Sequence, residues 1–201
     1  MEDRIAYFDM DGTLFDYEGQ LEKDLRALMS PNEEIPEDIF DESKPWLKAR
    51  MDLIKRVPGW WRNLPKFKLG WDIMGAAEYV GYTLEILTKG PRTNRSSWAE
   101  KAECIDKHIG NHIAVNIVGE GKGRVYGRML CDDYIPFMEQ WLKFRPRGLG
   151  ILIAKPSNAH FKHPNCIRYD GSGSSFEEVC TAMQAAFDRK TGQHWKELMV
   201  A

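Results

Sequence analysis

The chain has 201 residues, of which 43% are hydrophobic, and a formal net charge of −2 at pH 7. A chain of this length can bury one hydrophobic core, but it is too short for two large domains. The near-neutral charge argues against a protein that binds nucleic acid or lipid headgroups through bulk electrostatics. No apolar run approaches the roughly 20 residues of a membrane-spanning helix, so we expect no membrane partner.

The predicted elements alternate along the chain between short apolar runs and amphipathic stretches. The first run, IAYF at residues 5–8, predicts a buried strand that ends in acidic residues. Further strands are predicted in YTLEILTKG, IAVNIV, VYGRMLCDD, LGILIA and CIRYDG, and helices in LGWDIMGAAEYVG, SSWAEKAECIDKHIG, PFMEQWLKF and SFEEVCTAMQAAFDRKTG. This alternation predicts an α/β fold with a mainly parallel sheet and helices on both faces.

The helix predicted in SSWAEKAECIDKHIG has recognisable ends. Ser96 or Ser97 suits its N-cap, and Gly110 suits its C-terminal end. The apolar spacing predicts an inner face formed by Ala99, Ala102, Ile105 and Ile109.

Residues 18–65 interrupt the alternation. They contain polar helical pieces, QLEKDLRALM and DIFDESKPWLKARMDLIKRV, with prolines between them. We interpret this segment as a small helical cap inserted after the first strand. The predicted organisation is therefore a core of residues 1–17 plus 66–201 and a cap of residues 18–65.

Polar residues follow several of the predicted strands at the point where each ends. They are Asp9 and Asp11, Thr88 and Lys89, Lys122 within GEGKG, and Asp132 and Asp133. Ligands of open α/β sheets bind outside the carboxyl ends of the strands, so these residues are expected at one site. Taken one at a time, each of these residues could instead be an ordinary polar residue at a strand end, without a functional role.

The residue types at this edge fit phosphate chemistry. Asp9 and Asp11 are two apart, so both can point the same way, and Gly12 allows a turn directly after them. A third acid, Asp132 or Asp133, would complete an oxygen site that suits Mg²⁺. One carboxylate could then attack phosphorus while another carries a proton.

The stretch DMDGTLF, residues 9–15, resembles the first motif of the haloacid dehalogenase (HAD) superfamily of phosphatases. The likeness implies a three-layer Rossmann-like core, Mg²⁺ and an aspartyl-phosphate intermediate. The segments PGWWRNLPKF, GAAEYVGYTLEILTKG and GKGRVYGRMLCDD are further similar to the 5′(3′)-deoxyribonucleotidases. That closer resemblance covers residues 4–20 and 58–135.

The nucleotidase resemblance implies a role for each site residue. Asp9 would be the nucleophile, and Asp11 the acid/base whose backbone carbonyl also binds Mg²⁺. The phosphate would be held by Thr88, Lys101 and Lys122. Of the acidic pair, Asp133 is favoured over Asp132 as the metal ligand. Trp60 and Trp61 would line the nucleotide pocket; an ordinary core position is the alternative for both.

The sequence departs from the family at Lys89, where the relatives usually have serine. Lys89 could still donate its backbone N–H to phosphate as the serine does, but its side chain has no counterpart in the family. Lys101 has the alternative of a solvent-facing helix residue. The substrate is expected to be a small phosphomonoester, most simply a deoxyribonucleoside monophosphate, with nucleic acid not expected. A nucleic-acid 3′-phosphatase, another small-metabolite phosphatase and a non-catalytic nucleotide-binding protein remain open as alternatives.

The cysteines and the N-terminus indicate the compartment. The four cysteines contain no CxxC pair, and the chain starts with MEDR, unlike a signal peptide. We therefore expect a reduced, cytoplasmic protein. A homodimer is compatible with the sequence.

Overall fold

The computed structural model describes residues 4–34, 36, 38–41 and 43–199. Six parallel strands form one sheet in the order β3-β2-β1-β4-β5-β6. They are β1 (Ile5–Phe8), β2 (Thr83–Lys89), β3 (Ala114–Val118), β4 (Met129–Asp132), β5 (Leu149–Ile153) and β6 (Cys166–Tyr169). The predicted parallel sheet is confirmed, with the first strand near its centre.

In the described part of the chain, six α-helices and four short 3₁₀ helices lie between the strands and after the last one. The α-helices are α1 (Tyr17–Ala27), α2 (Pro45–Ile54), α3 (Lys68–Val80), α4 (Ser96–His108), α5 (Ile135–Phe144) and α6 (Gly173–Asp188). The 3₁₀ helices are Trp61–Asn63, Lys122–Arg124, Pro156–Asn158 and Trp195–Leu198. Pro136 lies in the first turn of α5, as predicted, where its missing N–H leaves no helical hydrogen bond unmade.

The two faces of the sheet are covered by different helices. Ala6 and Phe8 belong to the larger apolar cluster, to which α3 and α6 contribute. Tyr7 points to the other face and packs in a second cluster with Met138 and Trp141 of α5. Because side chains alternate along a strand, the four residues of β1 serve both layers. The predicted three-layer arrangement is thereby confirmed.

Helix α4 differs from its prediction at both its start and its buried face. Arg95 occupies the N-cap position, without a side-chain cap bond, and Ser96 is the first helical residue. The fully buried residues are Ser97, Lys101, Cys104 and Ile105, whereas Ala99 is exposed. Ile105 is buried as predicted and Ile109 packs on the larger apolar cluster. The apolar pattern missed Lys101, because this part of the face packs on polar groups at the sheet edge.

Residues 18–65 hold most of α1, all of α2 and the 3₁₀ helix at Trp61. Helices α1 and α2 pack on each other, and their buried leucines join the larger apolar cluster. The division into core and cap stays a prediction, since one cluster runs through both parts. The predicted helical piece DIFDESKPWLKARMDLIKRV is shorter in the structure, where α2 starts at Pro45; Glu42 of that piece lies outside the described residues, as do Met1–Asp3 of MEDR.

Two further predictions concern the membrane and the thiols. Among the residues that the structure describes, no helix has the length and apolar character needed to cross a bilayer. All four cysteines are free thiols, and Cys104 and Cys131 are buried.

Candidate active site

The carboxyl edge of the sheet brings the predicted polar residues together. Asp9 directly follows β1, Thr88 is the second-last residue of β2, and Asp132 ends β4. The three side chains are buried. Because β1 lies between β2 and β4 in the sheet, Asp9 lies between the carboxyl ends of these two strands.

Lys122, the first residue of the 3₁₀ helix Lys122–Arg124, forms ion pairs with two of these acids. Its Nζ donates to Asp9 Oδ1 at 2.5 Å and to Asp132 Oδ2 at 2.7 Å. Burial acts to lower the pKa of Lys122, but the carboxylates of Asp132 and Asp9 outweigh it and raise that pKa above its usual value. Lys122 therefore stays charged at the bottom of the site and offsets the charge of the two acids.

Lys101 makes the corresponding bridge on the other side of Asp9. Its buried ammonium donates to Asp11 Oδ2 at 2.5 Å, to Thr88 Oγ1 at 3.2 Å and to the backbone oxygen of Lys89 at 2.7 Å. An ammonium group has three N–H donors, so these contacts use all of them. The alternative of a solvent-facing lysine is wrong for Lys101, because the ion pair and hydrogen bonds compensate its burial.

Asp11 is set apart from Asp9 by its environment. Its Oδ1 is buried and has no hydrogen-bond partner. Burial raises the pKa of Asp11 above its usual value, and the charge of Asp9 adds to this, while Lys101 opposes it. A carboxyl group with a raised pKa can hold and deliver a proton near neutral pH.

Asp133 is held by a pair of residues that the sequence reasoning did not select. Thr13 Oγ1 donates to Asp133 Oδ1 at 3.1 Å, and Lys155 Nζ lies 2.7 Å from Asp133 Oδ2. Lys155 also contacts Glu18 Oε1 in α1 at 2.8 Å. Lys155 stands two residues after β5, so the strand-end rule that selected the other clusters could have found it.

Gly12 allows the close approach of Lys155 and Asp133. Its φ is +75°, and a Cβ at this position would lie 2.4 Å from Lys155 Nζ and 2.5 Å from Asp133 Oδ2. Both the backbone conformation and the crowding therefore require glycine in the turn after the paired acids.

Three carboxylates are close enough to hold one metal ion. Asp9, Asp132 and Asp133 each offer an oxygen, and these oxygens lie within 4.8 Å of one another. Burial raises the pKa of Asp132 to about 7 and that of Asp133 to about 6. A set of closely spaced carboxylate oxygens of this kind fits a hard cation such as Mg²⁺, whose charge would reduce the repulsion between the carboxylates.

The two tryptophans have different surroundings. Trp61 faces the cavity above the acids, 4.7 Å from Lys101 Nζ measured to its ring centroid. The Trp61 ring stacks on Tyr17, with the ring centroids 5.6 Å apart. Trp60 is packed edge-on behind Trp61 and donates from Nε1 to Asp24 Oδ2 at 2.7 Å.

Glu100 fixes the segment that carries Trp61. It accepts the backbone N–H of Gly59 at 2.7 Å and that of Trp61 at 3.2 Å. Glu100 precedes Lys101 on α4, so this helix both positions the aromatic segment and contacts Asp11. No sequence pattern pointed to Glu100, because an acid on a polar helix face is ordinary.

A cavity of about 600 Å³ opens above these residues. Its floor includes Asp9, Asp11, Lys101 and Asp133, and Lys89 lies on its wall. Thr88, Lys122 and Asp132 are not on its surface but lie beneath it. Its other lining residues are Tyr17, Glu18, Asp38, Phe40, Asp52, Lys55, Arg56, Trp61, Pro91, Thr93, Asn94, Tyr134, Phe137 and Ser157.

The arrangement matches the fold of known hydrolases. No protein-family model and no curated protein matches the chain. A solved structure described as a haloacid dehalogenase-like hydrolase from Burkholderia xenovorans LB400 is 14% identical, and the match covers 94% of this chain and 100% of that one with a TM-score of 0.56. The chain therefore has the α/β fold of that hydrolase.

Two other solved structures are similar to a lesser degree. A HAD family hydrolase from Deinococcus radiodurans R1, solved with bound phosphate and sodium, is 13% identical over 88% of both chains, with a TM-score of 0.48. A structure described as a beta-phosphoglucomutase from Thermotoga maritima is 14% identical over 92% of this chain and 97% of that one, with a TM-score of 0.42.

Proposed function

We propose that this protein is a Mg²⁺-dependent phosphomonoesterase that acts through an aspartyl-phosphate on Asp9. The observation that carries the proposal is the pair of acids after β1 with separate environments. Asp9 pairs with the charged Lys122, whereas Asp11 contacts Lys101 through one oxygen and keeps a second, buried oxygen without a partner. The raised pKa of Asp11 suits a group that gives and takes a proton, which leaves Asp9 as the nucleophile.

The neighbouring residues suit the stabilisation of phosphate. Lys122 lies beneath the cavity against Asp9, where its positive charge would offset the negative charge that the phosphoryl group brings during attack. Thr88 lies beside it and accepts a hydrogen bond from Lys101, so its own O–H could donate to a phosphate oxygen that reaches the end of β2. Asp11 would protonate the leaving oxygen and then take a proton from the water that attacks the phosphorylated Asp9.

Asp9, Asp133 and the backbone carbonyl of Asp11 are the groups that would hold Mg²⁺. Asp132 is less suited to direct ligation, because it is fully buried and does not line the cavity. Asp133, in contrast, reaches the surface of the cavity. The metal would supply positive charge to the phosphate oxygens and reduce their repulsion from the acids.

A nucleoside monophosphate suits the cavity best. Its volume of about 600 Å³ exceeds what a bare phosphate needs, and Trp61 offers an aromatic surface above Lys101. Aromatic side chains bind bases through stacking that tolerates different bases. We therefore propose a 5′-nucleotidase that acts on deoxyribonucleoside monophosphates in the cytoplasm.

The test is phosphate release from a panel of 5′- and 3′-deoxyribonucleotides and para-nitrophenyl phosphate, with and without Mg²⁺. Asp9→Asn should lower kcat by about 10³-fold or more, as expected for loss of a nucleophile. Asp106→Asn, on the exposed side of α4, is the matched control and should leave kcat unchanged. Acid quenching with ³²P-labelled substrate should leave label on the wild-type protein and none on Asp9→Asn. Activity that survives Asp9→Asn would exclude this nucleophile.

A further inference from the structure

The cavity wall carries two cations that form no ion pair with any acid in the described part of the chain. They are Lys89 at the end of β2 and Arg56 after α2, both exposed. No carboxylate among the described residues forms an ion pair with either of them, whereas Lys55 beside them pairs with Asp52 at 3.1 Å.

The other charged groups of the cavity already have partners. Lys101 uses its three donors on protein oxygens. Glu18 pairs with Lys155, and Asp38 Oδ1 accepts the backbone N–H of Phe40 at 2.8 Å. Lys89 and Arg56 are thus the cavity cations left to bind an anion of the substrate.

Lys89 is held close to the reacting groups. Its backbone pairs with Val118 of β3, and its carbonyl oxygen accepts from Lys101. Its Nζ lies 5.7 Å from the ring centroid of Phe137, and the Nζ of Lys122 lies 4.8 Å from the same centroid. Both ammonium groups are therefore close to one ring, although Lys122 contacts Asp9 and Lys89 does not. Lys89 and Asp9 line the same cavity, so a substrate that reaches Asp9 could also present an anion to Lys89.

We propose that the site prefers a phosphomonoester that carries a second anionic group, which Lys89 binds with help from Arg56. A nucleoside 3′,5′-bisphosphate is the simplest nucleotide of this class. The inference rests on the proposed phosphomonoesterase function and goes beyond it, because a nucleoside monophosphate has no group for these two cations. A second phosphate would give Lys89 a charge-assisted hydrogen bond where the protein offers none.

The experiment compares two substrates that differ by one phosphate, deoxyadenosine 5′-monophosphate and deoxyadenosine 3′,5′-bisphosphate. We expect wild-type kcat/KM to be about tenfold higher for the bisphosphate, the lower range for a hydrogen bond to a charged group. Lys89→Ser should abolish this ratio, Lys89→Arg should retain it, and Arg56→Gln should reduce it. Lys190→Ser removes the same charge from an exposed loop outside the cavity and should leave the ratio unchanged.

The outcomes separate this inference from the proposed function. If the wild-type protein hydrolyses neither substrate, the proposed function fails. If it hydrolyses both and Lys89→Ser lowers the two kcat/KM values by the same factor, Lys89 contacts the scissile phosphate and the inference is overturned. Equal wild-type kcat/KM values for the two substrates would overturn it as well.

Discussion

The ammonium group of Lys155 lies 2.7 Å from a carboxylate oxygen of Asp133. The same ammonium group contacts Glu18 in the first turn of α1 at 2.8 Å. One buried side chain thereby connects an acid of the candidate metal set to a helix of the segment inserted after β1. Burial acts to lower the pKa of Lys155, but the carboxylates of Asp133 and Glu18 outweigh it and raise that pKa.

Replacing Lys155 should destabilise the protein strongly. Lys155→Met would leave Asp133 without its cation in a mostly buried position, and loss of one partner of such a pair costs on the order of 3 kcal/mol. Glu18→Gln should cost less than about 1 kcal/mol, because Glu18 is partly exposed and its loss leaves the Lys155–Asp133 pair intact. Urea unfolding of both variants measures the two losses. Equal losses would show that the Asp133 contact contributes nothing of its own.

Gly12 and Gly75 offer a matched pair of glycine substitutions. Gly12→Ala places a Cβ against Lys155 and Asp133 at a positive φ, so we expect a loss of at least about 1 kcal/mol and lower activity. Gly75 lies in α3 with open space around it, so Gly75→Ala should stabilise by about 0.5–1 kcal/mol. Thermal unfolding and phosphate release report both effects. A Gly12→Ala variant as stable and active as wild type would contradict the crowding around the turn.

Trp61 should contribute to binding of the base and not of the phosphate. Trp61→Leu removes the aromatic surface, and a stacked base contributes about 1–3 kcal/mol, so we expect KM for a nucleotide to rise about tenfold. KM for ribose 5-phosphate, which has no base, should change little. Trp60→Phe is the control, because Trp60 packs behind Trp61 and does not line the cavity. An equal rise in KM for both substrates of Trp61→Leu would indicate a general structural role.

Stability without metal should decrease as pH rises from about 4 to 7. Burial raises the pKa of Asp132 to about 7 and that of Asp133 to about 6, whereas unfolded aspartates titrate near pKa ~3.9. Between these values the folded chain binds more protons than the unfolded chain, so its stability falls with rising pH. Urea unfolding in EDTA measures the slope, and Asp132→Asn should reduce it. Stability that increases across this interval would contradict the raised pKa values.

The sequence was sufficient for the strands, the sheet type and much of the site. IAYF and LGILIA were predicted as buried strands, because short continuous apolar runs are typical of a sheet that is covered on both faces. The structure has strands in both segments. Asp9, Thr88 and Asp132 were found because the strand-end rule needs only the strand positions. The inner face of α4 was predicted only in part: Ile105 is buried as expected, but apolar periodicity assigns a lysine such as Lys101 to the solvent.

The sequence by itself determined where the chemistry could occur, because apolar runs that end in acids are local features. Only the tertiary structure decided how those acids differ from one another. Lys122 lies between Asp9 and Asp132, Lys101 reaches Asp11, and Lys155 joins Asp133 to Glu18. Lys155 is more than 130 positions from Glu18 in the printed sequence. Burial and charge pairing between such distant residues depend on packing, and these interactions give each carboxylate a different environment.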